Sequence, residues 1–521
     1  MKIKTIGILL AVFAAAFLLR VLFLKDLSLT FGYDQARDAY VSQQIIGGDL
    51  KVLGPPASTP GLYHGVFYYY LLAPAYFLGN GSPVVAAYWI AFLNSLTVFV
   101  VFYLTYLLTK KNLVASFFAA ILFMVSFEAS QYATWLSNPT TSVLTVPLFY
   151  LGLWIWLSKT PRSPQRSRKG EVGVAPFLAA LGLGLSIQSE IFLAYHLVPL
   201  AIWAWVARKN ITKKQLLVFV FTLTLTLASM ILAEVKFGFK GISGIKALLI
   251  AQEPNLAYAK SLGDYLVLYL NQIGRIFSFN AYPGNIGYGG GFVVALILVS
   301  IVKSKKFVLT PGLFLVTWLL SHLAVVTVGG ISTPFLMVGI GPAVSILLAI
   351  WLGRWWSQGR KVLSVLILLI LIFGNLSMIA RENPRGSTLF AIQKDMLLSK
   401  QLAAIDFTYQ EAGGKPFSLN SLTSPLWINI VWSYLYKWYG LPKYGYLPSW
   451  HGRDQIGQLD SLPRVVKPDE LSFLILEPME GIPAQYLDLT LGEEDVKSKL
   501  VSEKSFGELR VQKRNRKGQG N

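Results

Sequence analysis

Cysteine is absent from this 521-residue chain. That excludes a disulfide framework, a thiolate nucleophile and any metal site built on thiolates. Histidine is scarce: four residues with no His-Glu-x-x-His spacing leave no basis for a dedicated zinc centre. Charge is the third shortage. Only 14% of residues are charged and 54% are hydrophobic, whereas a soluble domain carries roughly a quarter charged residues. Apolar runs of span length recur along the chain, so a polytopic membrane protein is expected. A formal charge of +20 would suggest nucleic acid in a soluble protein, but here the basic residues sit between apolar runs.

Reading runs of about 17–25 apolar residues as spans predicts about eleven transmembrane helices. They fall near 6–24, 84–108, 113–131, 140–158, 174–189, 191–207, 215–234, 290–302, 307–328, 332–352 and 361–380. Lys2, Lys4 and Ala14-Ala15-Ala16 resemble a signal peptide, yet apolar residues continue to Leu24 and predict an uncleaved first span. Arg20, near its outer end, is expected to snorkel to the interface. With the N-terminus cytoplasmic, the inner loops hold Lys110-Lys111, Arg162 to Lys169, Arg208 to Lys214, Lys303 to Lys306 and Arg354 to Lys361. Glu171 is the acid among them. The opposite loops are mixed in sign, with Asp34, Asp38, Asp49, Glu128, Glu190, Glu253 and Asp264. This alternation follows the positive-inside rule and assigns the basic charge to an anionic leaflet rather than to nucleic acid.

Three outward regions are long: 25–83, 235–289 and the tail. Residues 1–383 read as the membrane domain, and 384–521 as a small extracytoplasmic soluble α/β domain. In the tail, Ser387–Ala412 and Pro425–Tyr439 are expected to be helices, while Phe417–Leu419, Leu471–Leu476 and Glu508–Val511 have strand character.

The most informative segment follows the first span: Tyr33-Asp34-Gln35-Ala36-Arg37-Asp38. Charge beside a span is a functional-site signal. The Ala, Val and Ile spacing over 34–45 predicts a helix with Asp34, Arg37 and Asp38 on one face. A carboxylate there can act as general base toward a hydroxyl, and the arginine can tune it or clamp a phosphate. Alternatively Asp34 caps the helix and its neighbours form a solvated face. A third reading has Asp34 and Asp38 chelating a divalent cation that presents a diphosphate, although such sites need further oxygen ligands.

A Gly/Pro/Tyr-rich stretch follows, Leu53-Gly54-Pro55-Pro56 and then Gly61-Leu62-Tyr63-His64-Gly65 through Tyr68-Tyr69-Tyr70 to Pro74. With Arg20 ending the first span, Asn138-Pro139, and Gln188 with Glu190 at a short hairpin, residues 1–380 resemble the bacterial family 39-type glycosyltransferases. These are relatives of protein O-mannosyltransferases and of the aminoarabinose transferase of lipid A, with the GT-C fold. The resemblance implies transfer of a sugar from a polyprenyl-phosphate donor to a hydroxyl of a lipid, glycan or protein acceptor, on the outer side and with inversion. It places the catalytic acid on Asp34. Many relatives carry Glu next, where this chain has Gln35, which leaves Asp38 as a substitute second acid. Glu128, Gln188 and Glu190 at outer ends of spans are candidates to bind sugar hydroxyls, and His64 to contact the donor phosphate. Arg37, Lys236, Lys240 and above all Arg275 are the outward cations for that phosphate. Tyr69 and its neighbours are candidates to stack on sugars, though aromatics at this depth also form interfacial belts. The competing function is a transporter or flippase for a lipid-linked glycan. Against it, no internal repeat is evident and the informative charges cluster at one face.

Overall fold

In hydrocarbon a backbone must satisfy its own polar groups, so apolar runs of this kind fold as helices. The computed structural model describes residues 3–57, 61–158, 171–250, 261–282, 309–329, 333–455 and 462–517, with 289, 293 and 299 as single positions. Among these, four helices are long and apolar enough to cross a membrane: Ile3–Asp26, Pro83–Leu108, Asn138–Leu157 and Lys361–Arg385. The number rises to six if each of two bent pairs is one span: Leu113–Met124 with Phe127–Thr134, bent by 51°, and Lys213–Thr226 with Ala228–Lys236, bent by 54°. Shorter apolar helices run over Gly173–Ser189, Ile191–Val206 and Pro311–Thr327. The expected span at 290–302 lies outside the described residues.

The first bend has an identifiable cause. Helix α1 (Ile3–Val21) brings Arg20 against the end of the helix at Leu113–Met124. The Arg20 guanidinium donates to Phe123 O at 3.3 Å, Met124 O at 3.1 Å, Ala16 O at 2.9 Å and Asn94 Oδ1 at 2.6 Å. It therefore gives Met124 O a donor at the broken helix end and adds a second one to Phe123 O, which also accepts from Ser126 N at 3.2 Å. Arg20 is 1% exposed, so it does not snorkel as the sequence suggested. Ser126 then caps the next helix by accepting from Ala129 N at 3.1 Å.

The first outer loop contains α2 (Tyr33–Ile46) and α3 (Phe67–Leu78). The tail carries a five-stranded mixed sheet of order β2-β1-β3-β5-β4. Its strands are β1 (Ser418–Leu422), β2 (Ser449–Trp450), β3 (Leu471–Leu476), β4 (Ser498–Phe506) and β5 (Leu509–Arg516). The expected strand at Leu471–Leu476 is observed with those bounds, and the other two extend toward the C-terminus. Strand β4 and the helix Ala484–Lys497 escaped the sequence reading. Most of β4 is exposed, so no alternating apolar pattern betrays it.

Loop and tail share one hydrophobic core, which joins Leu24, Phe31, Tyr68 and Tyr76 to Ile405, Trp432, Phe473 and Val511. Backbone bonds seal the contact: Phe31 N donates to Met396 O at 2.9 Å and Leu398 N to Leu29 O at 2.8 Å. This pairing at Met396–Leu398, preceded by successive turns, sets the start of the helix expected from Ser387 at Leu398.

Candidate active site

The site is built on the first turns of α2. Gly32 N donates to Gln35 Oε1 at 2.9 Å, and Gln35 Nε2 donates to Leu136 O at 3.1 Å. Gln35 thus fixes the start of the helix and ties it to the bundle. Gly32, rather than Asp34, is the N-cap residue, so the Asp34 side chain is left for other contacts.

Asp34, Arg37 and Asp38 do share a face. Arg37 donates to Asp34 Oδ1 at 2.7 Å, and to Asp38 Oδ1 through Nε at 2.8 Å and a terminal nitrogen at 2.7 Å. Its guanidinium also lies over the Tyr33 ring, 5.4 Å from the centroid. Asp34 is half exposed, whereas Asp38 is fully buried with Oδ2 lacking a hydrogen-bond partner. Burial pushes the Asp38 carboxyl up to about 7, against the opposing pull of Arg37. A guanidinium stands where a cation bridging the two aspartates would sit. No group of three or more His, Asp or Glu side chains placed to hold a metal occurs among the described residues. The divalent-cation reading does not fit this geometry.

Asp34, Arg37, His64, Asn138 and Glu190 line one cavity of about 460 Å³. Its other walls come from Trp135 and Phe335 in the bundle, from Phe390 and Gln393 beyond the last span, and from Ser424 and Pro425 in the tail. His64 accepts a hydrogen bond from Ile191 N at Nδ1, 3.2 Å away, which places its proton on Nε2. Burial and the Arg37 charge lower His64 to about 3, so it is neutral at physiological pH. Glu190 Oε1 accepts from Phe192 N at 3.4 Å and lies 3.6 Å from His64 Nδ1.

The remaining sequence candidates occupy other places. Tyr69 is buried against Arg37, behind the ion-pair triad and outside the cavity wall. Gln188 is engaged structurally: its Nε2 donates to Thr226 O at 2.7 Å and Ser229 Oγ at 2.8 Å, while Oε1 accepts from Phe67 N at 3.4 Å. A Cβ on Gly65 would fall 1.7 Å from that Oε1, so only glycine lets the loop pass Gln188. Glu128 accepts from Asn280 Nδ2 at 2.5 Å, and Arg275 bonds to Gln272. These two form a separate buried polar group that does not line the cavity. A second cavity, of about 410 Å³, shares the His64 wall. It is mostly apolar, lined by residues such as Leu53, Leu62, Met230 and Phe237, with Lys240 and Glu234 as its charged groups. Sequence reasoning missed Phe390, Gln393 and Ser424, because tail docking rather than local pattern brings them to Asp34. Trp135 had a faint signal, lying three residues before Asn138.

The fold is GT-C, as the first loop led us to expect. The chain is similar to ArnT from Cupriavidus metallidurans bound to undecaprenyl phosphate: TM-score 0.57, 13% identity, with 98% of each chain covered. The apo state of that protein gives 0.55 at 13% identity, covering 98% of this chain and 97% of the other. The Archaeoglobus fulgidus oligosaccharyltransferase in complex with Zn and sulfate is a looser likeness: 0.48 at 16% identity, over 77% of this chain and 56% of that one. No family model matches the sequence, and no curated protein matches it.

Proposed function

We propose that this chain is an integral-membrane glycosyltransferase. It moves a sugar, a mannose-like hexose or a pentose, from a polyprenyl-phosphate donor to a hydroxyl acceptor on the extracytoplasmic face. The observation that carries the reading is Asp34: a half-exposed carboxylate at the edge of the cavity, oriented through one oxygen by a buried arginine. Support comes from the fold, shared over 98% of the chain with a protein crystallised with undecaprenyl phosphate. The apolar cavity next to the polar one gives a lipid chain a place to lie.

In this mechanism Asp34 takes the proton of the acceptor hydroxyl as that oxygen attacks the anomeric carbon. The bond from that carbon to the phosphate oxygen breaks, and polyprenyl phosphate leaves with the bonding pair. Attack opposite the leaving group inverts the anomeric centre. Arg37 is already shared between two carboxylates, so its main task is to orient Asp34. Lys240 in the adjoining cavity is left to offset charge developing on the phosphate, and Arg275, outside both cavities, does not take the phosphate role expected for it. His64, neutral and protonated on Nε2, is a hydrogen-bond donor at the wall between the cavities. The acid beyond Asp34 is Asp38, which acts through Arg37.

The test is turnover of a panel of polyprenyl-phosphate sugars by purified protein, with the anomeric configuration of the product read by NMR. We expect inverted product, unaffected by EDTA. Retained configuration would remove Asp34 as a base acting directly on the acceptor. If no donor is turned over but lipid-linked glycan crosses vesicles containing the protein, the flippase reading replaces this one.

A further inference from the structure

We infer that Phe390 is a stacking platform for a pyranose ring inside the cavity; the inference rests on the transferase reading above and names the sugar subsite. Three rings converge at this wall. Phe390 lies 4.1 Å from Tyr132 and 4.9 Å from Trp135 between centroids, with planes 21° and 24° from parallel. Tyr132 and Trp135 are themselves only 6.2 Å apart. A Phe390 sandwiched between them would hold them farther apart, so both press on the same face of Phe390. Among the described residues no further ring covers its other face, and Phe390 is a partly exposed residue of the cavity wall.

The platform is held from behind. Gln131 accepts from Leu389 N at 3.2 Å through Oε1 and donates to Gly386 O at 3.0 Å through Nε2. Ser387 N donates to Thr30 Oγ1 at 2.8 Å. A rigid aromatic face matches the apolar C–H face of a pyranose, whose hydroxyls project from the ring edge. Asp34, Asn138, Gln393 and Ser424 supply the polar rim those hydroxyls require. The ring belongs either to the donor sugar or to a sugar acceptor, and the chemistry of recognition is the same.

The experiment has a binding arm and a kinetic arm, each comparing wild type with Phe390→Leu, Phe390→Met and Phe390→Tyr. In the first, saturation-transfer NMR in detergent probes methyl mannoside, glucoside, galactoside and xyloside. At least one should bind through one face of its ring, with binding kept in Phe390→Tyr and weakened about three- to ten-fold in the other two, the range expected for a stacking contact. In the second, a comparable rise in KM for donor hydrolysis without acceptor, with little change in kcat, assigns the ring to the donor. A rise confined to the acceptor KM assigns it to the acceptor. Binding and both KM values unchanged in folded Phe390→Leu and Phe390→Met would overturn the proposal. If wild type binds a glycoside through Phe390 yet turns over no donor, the sugar subsite stands and the transferase reading falls.

Discussion

Arg37 joins two acids with different surroundings, half-exposed Asp34 and fully buried Asp38. Arg37→Met would leave Asp34 without its orienting partner and Asp38 as an uncompensated buried charge. We expect donor turnover to fall by about 10² or more, with Arg37→Lys failing to restore it because an ammonium cannot serve both carboxylates in a planar fork. Steady-state kinetics on the three proteins checks this. The pH dependence follows from Asp38, whose carboxyl is held near 7 by burial. Below that pH Asp38 is neutral and Arg37 pairs with Asp34 alone, which holds the Asp34 carboxylate more firmly in the ion pair and away from the acceptor hydroxyl. Activity should therefore decline as pH drops through about 7, and Asp38→Asn should lose that limb of the profile. Stability moves the other way. A raised carboxyl pKa makes the charged form the costly one, so Asp38's contribution to folding stability is largest below about pH 4 and declines as pH rises toward 7. At this scale the sequence was informative where periodicity operates: the shared face of Asp34, Arg37 and Asp38 follows from helical spacing. It was silent on Gln35, which looked like a missing acid and is a helix-start residue with two specific bonds. It was equally silent on Gln188, since spacing cannot say which way a side chain at a tight turn points.

Two elements depart from the pattern their composition suggests, and both departures place the site. Residues 113–131 read as one apolar span, but Arg20 meets the carbonyls at Phe123 and Met124 and the helix bends there. Within the run Ser126 marks only the start of the second helix; the group that holds the end of the first lies on another helix. Replacing Arg20 with Met would leave the Met124 carbonyl and the Asn94 amide oxygen buried without this donor, while Phe123 O would keep Ser126 N. A loss of about 1–3 kcal/mol is expected for each group so stranded, visible as a lower thermal midpoint in detergent, with the far-UV helix signal retained below it. The segment from Ser387 to Leu397 is the second case. Its apolar spacing looks helical, yet it runs as successive turns, tied to Thr30 at Ser387 and to Leu29 and Phe31 at Met396–Leu398, and these turns bring Phe390 and Gln393 to the cavity.

Across the whole molecule, the alternating basic loops and the apolar runs made the membrane class readable from composition alone. The number of spans was less so, because several helices are short or bent. The tail was expected to be a small soluble α/β domain, and its buried residues share a hydrophobic cluster with those of the first loop. Removing residues 384–521 would expose Phe31, Tyr68 and Tyr76 and delete the Gln393 and Ser424 wall. We expect the truncated chain to aggregate on extraction or, if recovered folded, to lose donor turnover; full activity in that fragment would show that the tail is dispensable. The central claim is that Asp34 removes a proton during sugar transfer from a lipid phosphate. It is tested most directly by measuring polyprenyl phosphate released from the donor by wild type and by Asp34→Asn, each shown to have the same thermal midpoint. The account predicts release by wild type and a drop of about 10²-fold or more in the variant; equal release by both would contradict it.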